Sequence, residues 1–117
     1  MINGAHVIIY SGAAESDRVF LRDQLGLANV DAGDGWLIFK LPPAEIAIHP
    51  TDGDARHELY FMCDNLEETI ATLRAVGIEI SSPISDEGWG LLAEIRMPSG
   101  SALGLYEPRH PVAHSLP

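Results

Sequence analysis

The chain nearly repeats itself, and that constrains its fold more than any single residue does. A strand-like run, His6-Val7-Ile8-Ile9-Tyr10, leads into an amphipathic stretch ending Phe20-Leu21-Arg22-Asp23-Gln24-Leu25-Gly26-Leu27. The plan recurs in the second half. Glu58-Leu59-Tyr60-Phe61-Met62-Cys63 leads into Asp64–Leu73, which ends Ala75-Val76-Gly77-Ile78. Alternating, strand-like sequence follows in both halves. Each half is then one supersecondary unit that cannot bury its apolar face alone. Two units must pack together, and the groove between them is the natural place for a ligand.

The chain has 117 residues, enough for one core and too few for two independent ones. A single domain over 1–117 is expected, with one module over about 4–50, a second over about 56–108, and a loose tail. Hydrophobic residues make up 46%, which rules out a disordered chain. No apolar run is long enough to span a membrane, and no basic segment precedes an apolar one at the N-terminus. The expectation is a cytoplasmic protein with no membrane partner. Cys63 is alone, so neither an internal disulfide nor a cysteine zinc cluster can form. The net charge of −10 opposes binding to nucleic acid.

Element by element, 5–11 alternates as a strand and 13–25 reads as a helix. Ala14, Leu21 and Leu25 share one helix face, flanked by Phe20, and Gly26 stops it. Asp31–Gly35 is a turn, Trp36–Leu41 a strand, and Ala44–His49 another beyond Pro42-Pro43. Pro50–Asp54 is the polar linker. Asp64 is placed to cap the second helix, with Glu67 three residues on as in a capping box. Leu66, Ile70 and Leu73 form its buried stripe, and Gly77 ends it. Ile78–Ser81, Trp89–Met97 and Ala102–Glu107 are the remaining strands, and Pro98-Ser99-Gly100 turns the last hairpin.

At this level the residues resemble the vicinal oxygen chelate superfamily of glyoxalase I, bleomycin-resistance proteins and extradiol dioxygenases. Phe20–Leu27 is similar to its first helix ending, Asp64–Ile78 to its second helix, and Met97–Gly100 to the turn before its closing strand. The resemblance covers nearly the whole chain up to Pro108. It implies an α+β fold in which paired βαβββ modules curl their sheets into a cup. It says less about chemistry, because one fold hosts many functions.

The superfamily's metal enzymes carry ligands on four cup-facing positions. Carried over by position, these fall on His6, Ala47, Glu58 and Gly104. The third needs an argument, because His57 and Glu58 are adjacent and side chains alternate across a strand. With His57 in the cup, the Glu58 carboxylate would be buried unpaired at high cost. With Glu58 in the cup, Leu59, Phe61 and Cys63 pack on the helices. Glu58 is therefore assigned and His57 treated as a strand-entry residue. Ala47 and Gly104 cannot ligate, whereas a Lewis-acid ion needs about three protein ligands. The two-His-one-carboxylate triad is incomplete as well. The expectation is no cofactor; the alternative is a divalent ion held by His6 and Glu58.

Parity extends the lining. His6, Ile8 and Tyr10 face the cup, as do Glu45, Ala47 and His49; Glu58, Tyr60 and Met62; Leu92, Glu94 and Arg96; and Gly104 and Tyr106. Ala93 and Ile95 are left for the core. The candidate ligand-binding set is His6, Tyr10, His49, Glu58, Tyr60, Met62, Glu94, Arg96 and Tyr106. Such an apolar-to-amphipathic lining with a few polar groups suits a small molecule. Arg96 either binds a carboxylate or phosphate bidentately or pairs Glu94 or Glu58. His6 reads as a hydrogen-bonded pocket histidine, Trp36 and Trp89 as core or interface aromatics, and Cys63 as an unreactive core thiol. No phosphate loop, H-E-x-x-H motif or nucleophile elbow is present.

Two functions stay open. One is a metal-free protein that sequesters an aromatic or amphipathic molecule. The other is a glyoxalase- or dioxygenase-type enzyme using a divalent ion, or the His6 and Glu58 pair as acid–base groups. The expected assembly is a twofold-symmetric homodimer, since superfamily members of this length pair their modules between chains.

Overall fold

The computed structural model describes residues 6–54 and 56–117. Helix α1 (Ala14–Asp23) and the short strands β1 (Asn29–Asp31) and β2 (Leu37–Phe39) come from the first half. Strand β3 (Tyr60–Met62), helix α2 (Leu66–Ala75) and strands β4 (Ile80–Asp86), β5 (Gly90–Arg96) and β6 (Ala102–Pro108) come from the second. The fold is α+β, with two helices and two sheets among the described residues.

The second half forms a four-stranded sheet in the order β3-β6-β5-β4. β3 runs parallel to β6, with Tyr60 opposite Gly104 and Met62 opposite Tyr106. β5 and β6 are antiparallel, joined by the turn at Pro98–Gly100. Alternation decides what each strand buries. Ala93 and Ile95 of β5 and Leu103 and Leu105 of β6 lie in the core, while Glu94 and Arg96 face out. Leu59, Phe61 and Cys63 pack partly buried against the same core. Fully burying a residue such as Ile95 contributes about 1.5–3 kcal/mol. β4 carries Pro83 and two register irregularities, both suited to an edge strand.

Leu66 and Ile70 of α2 are buried on this sheet, with Leu73 half-buried beside them. The helix cap is a correction. Asn65 rather than Asp64 is the N-cap, its side chain accepting the Glu68 N–H at 3.0 Å. Glu107 adds a carboxylate there, accepting the Leu66 N–H at 2.8 Å, where the helix dipole favours an anion. Gly77 ends the helix at φ 86°.

α1 buries the expected face except at its start: Phe20 lies in the core and Leu21 and Leu25 pack partly buried against it. Phe20 is its deepest apolar side chain, in the same core as Ile95 and Leu103. Ala14 is exposed, and Asp17 is the helix's buried polar residue. The first-half helix therefore packs into the second-half core.

The other strands of the first half depart from expectation. Residues 6–11 and 44–49 form no strand and pair with none among the described residues; residue 5 lies outside these. Only β1 and β2 pair, through a hairpin whose turn is held by the Asp31 carboxylate on the Gly33 and Gly35 N–H groups. A strand exists only where a neighbour satisfies its backbone, and the described residues offer these two segments none. Their apolar side chains are left bare: Ile8 is 62% exposed, Ile46 88% and Ile48 87%. The radius of gyration, 15.1 Å, exceeds the roughly 13 Å of a compact domain of this length.

Candidate functional site

The open face of the four-stranded sheet carries the candidate site. β3 places Tyr60 there and β6 places Tyr106, because Phe61 and Leu105 on the alternate parity are drawn to the core. The two phenol rings meet edge to face, with centroids 6.2 Å apart. Trp89, just before β5, meets Tyr106 at 5.6 Å and the His49 ring at 6.3 Å, both edge to face. These four rings make one continuous aromatic row. Beside Tyr60, a depression of about 220 Å³ is lined by Ser82, Ser85, Glu87, Leu92 and Glu94.

Two glycines make the row possible. A Cβ at 104 would stand 2.6 Å from Tyr60 Cε1 and closer still to Cδ1. A Cβ at 90 would press into the Tyr106 ring and the Glu107 carbonyl. Each tyrosine therefore lies against bare backbone of a neighbouring strand. Glycine inside a strand marks just such a close approach.

Polar groups fix the rings. The Tyr60 hydroxyl donates to Glu58 at 2.9 Å, and Arg56 pairs the same carboxylate at 3.3 Å. The Tyr60 bond, then Arg56, holds the Glu58 carboxyl below its ordinary range. Partial burial, then the Glu58 hydrogen bond, pushes the Tyr60 phenol up, and Glu94 adds to it. Burial raises the Tyr106 phenol too, with the Glu45 charge contributing. The His110 ring faces the Pro111 carbonyl through Nδ1 at 2.7 Å. That carbonyl can only accept, so Nδ1 carries the proton, and Nε2 takes the hydrogen bond from the Tyr106 hydroxyl.

The remaining candidates divide. Glu94 faces out beside Tyr60. Met62 is half-buried on β3, in register with Tyr106. Arg96 pairs neither Glu94 nor Glu58; its guanidinium donates to the Gly100 carbonyl at 2.7 Å in its own hairpin. His6 and Tyr10 lie exposed on the unpaired first segment, Tyr10 at 88%. His57 is exposed, and it is Glu58 that reaches Tyr60.

Three groups stand outside the candidate ligand-binding set read from the sequence. Trp89, read as core or interface, is 46% exposed within the row. Glu45 accepts the Ala113 N–H at 2.6 Å, across 68 residues. His110 comes from the tail, which is tied rather than loose. Arg109 bonds the Trp89 carbonyl through its backbone N–H and Asp86 through its side chain. The usable signal was the pair of strand glycines, which require something large to lie against them.

The residues present do not fit a bound metal. Ala47 has no donor, and the ring of Tyr60 occupies the space a side chain at 104 would need. Among the described residues no three His, Cys, Asp or Glu side chains gather as a ligand set.

The chain has the fold of the glyoxalase/bleomycin resistance protein/dioxygenase superfamily. A lactoylglutathione lyase from Agrobacterium tumefaciens matches it with a TM-score of 0.64 at 18% identity, over 90% of this chain and 92% of that one. TnmS3, an antibiotic binding protein from a Streptomyces species, matches with a TM-score of 0.63 at 20% identity, over 92% and 99%. A member of the superfamily from Sphaerobacter thermophilus matches with a TM-score of 0.61 at 20% identity, over 91% and 98%. No family model and no curated protein matches the sequence. Among the described residues, no helix is long and apolar enough to cross a membrane.

Proposed function

We propose that this chain is a binding protein that holds a small aromatic or amphipathic molecule on the open face of its second-half sheet, without a metal. The observation that carries this reading is the seating of Tyr60 on Gly104. Where the metal enzymes of this fold place a ligand, this chain has an aromatic ring on bare backbone, continued by Tyr106 and Trp89. Aromatic surface with a few fixed polar groups is the composition of a small-molecule site. The antibiotic binding protein among the structural neighbours is a precedent for small-molecule binding on this fold.

The test is a thermal-shift and tryptophan-fluorescence screen against planar aromatic compounds, antibiotics included. A hit should raise the melting temperature by mass action and quench emission, and Trp89→Ala should remove both effects. Absence of any hit sensitive to residue 89 would reject the reading.

The working unit we infer is a homodimer. Residues 6–11 and 44–49 carry exposed apolar side chains and, among the described residues, have no partner strand. A second copy would supply the missing pairing and close each cup. Light scattering giving only a mass near 12.7 kDa would overturn this.

A further inference from the structure

The charges around the aromatic row narrow the ligand class, and the inference rests on the binding reading above. Three carboxylates border the rings. Glu58 sits on the Tyr60 hydroxyl at 2.9 Å. Glu94 faces out beside the same ring. Glu87 lines the depression beside that ring as well. The nearby cations are mostly turned elsewhere. The Arg96 guanidinium is held by the Gly100 carbonyl and that of Arg109 by Asp86. Arg56 does pair Glu58, but through a long contact of 3.3 Å with its side chain 67% exposed. It is a weak surface pair that a bound cation can displace. His49 meets the row edge-on through Trp89.

We propose that the molecule held on this face is a planar aromatic cation. The negative face of an aromatic ring attracts a cation, and nearby carboxylates add to that attraction. The Trp89 and Tyr106 rings stand at 72° with centroids 5.6 Å apart, so they form a corner. A flat ligand stacked on one ring presents its edge to the other. An anion of the same shape would meet three carboxylates against one guanidinium, that of Arg56, which already faces Glu58.

The experiment compares proflavine, a tricyclic cation at neutral pH, with acridone, a neutral tricycle of similar outline. Binding to the full chain is followed by fluorescence titration. Proflavine should bind about tenfold or more tightly than acridone. The Glu58→Gln/Glu94→Gln pair should abolish that preference. The Glu67→Gln/Glu68→Gln pair on α2, with the same change in net charge, should leave it intact. Raising the salt concentration should weaken proflavine and spare acridone. Trp89→Ala should weaken both dyes. If both dyes bind equally and both need Trp89, the charge inference fails and the binding reading stands. If the two double variants weaken proflavine equally, only the net charge is acting and the inference fails. If neither dye binding depends on Trp89, both ideas fail.

Discussion

The Asp17 carboxylate accepts both the backbone N–H and the hydroxyl of Ser99, at 3.1 and 2.7 Å, across 82 residues of chain. This is how the first-half helix is fixed to the β5–β6 turn. Phe20, one turn further along α1, is buried beside it. The carboxylate sets the helix orientation and the ring provides the apolar burial.

Removing that carboxylate should loosen the joint between the halves. Asp17 is only 6% exposed, and its loss leaves two Ser99 donors without their partner. Asp17→Ala should destabilise by about 1–3 kcal/mol in urea unfolding. Asp17→Asn, which keeps one acceptor oxygen, should cost less.

Neighbouring residues on β5 should behave oppositely. Ile95 is fully buried and Glu94 faces out. Ile95→Ala should cost about 2–5 kcal/mol through the cavity it leaves. Glu94→Ala should stay within about 0.5 kcal/mol. A slip of one residue would exchange the two results, so the pair checks the register.

That register was legible in the sequence, because alternation on β5 leaves a single sensible face for Ala93 and Ile95. So were the helices, from their apolar spacing and from Gly26 and Gly77. The strand character of 6–11 and 44–49 was legible only as propensity. Pairing needs a neighbour, and no sequence states whether its own chain supplies one. The site was half legible. Parity puts Tyr60, Glu94 and Tyr106 on the open side, but the packing of Tyr60 on Gly104 depends on how β3 and β6 align, which one strand's sequence does not contain. His110 reaches Tyr106 through the fold of a proline-containing tail that has no periodicity to read.

Glu58 gives a pH signature. Its carboxyl is held below the ordinary glutamate range by the Tyr60 hydroxyl first and Arg56 second. A depressed carboxyl contributes stability above its unfolded-state value and loses it as pH falls through the folded-state value. The window is therefore below about pH 4. Glu58 is half exposed, so solvent screening keeps the stability effect small. The measurable quantity is the titration itself. Carboxyl NMR should place Glu58 below the ordinary glutamate range, and Tyr60→Phe should move it up.

Divalent ions should bind this chain weakly. Zinc, nickel or manganese at modest excess should leave the melting temperature almost unchanged, and a chelator should do the same to the purified protein. A ligand that binds only the folded state would raise it by mass action. A chelator-induced fall of many degrees, restored by one ion and abolished by His6→Ala or Glu58→Ala, would favour the enzyme reading.

The tyrosine and glycine that meet across β3 and β6 should be energetically coupled. Tyr60 sits opposite Gly104 in the parallel ladder, and its ring fills the space above that backbone. A methyl group at 104 has to move the ring, because its Cβ would stand 2.6 Å from Tyr60 Cε1. Overpacking of this kind costs about 1–3 kcal/mol. Moving the ring also pulls its hydroxyl from Glu58. Gly104→Ala should therefore destabilise the native protein and raise the Glu58 titration. With Tyr60→Ala already in place, the same methyl meets open space and should cost little. The double-mutant cycle should show a coupling of about 0.5–3 kcal/mol. Additive costs would mean that Tyr60 does not rest on Gly104, and the vacated position could then accept a metal-ligating side chain.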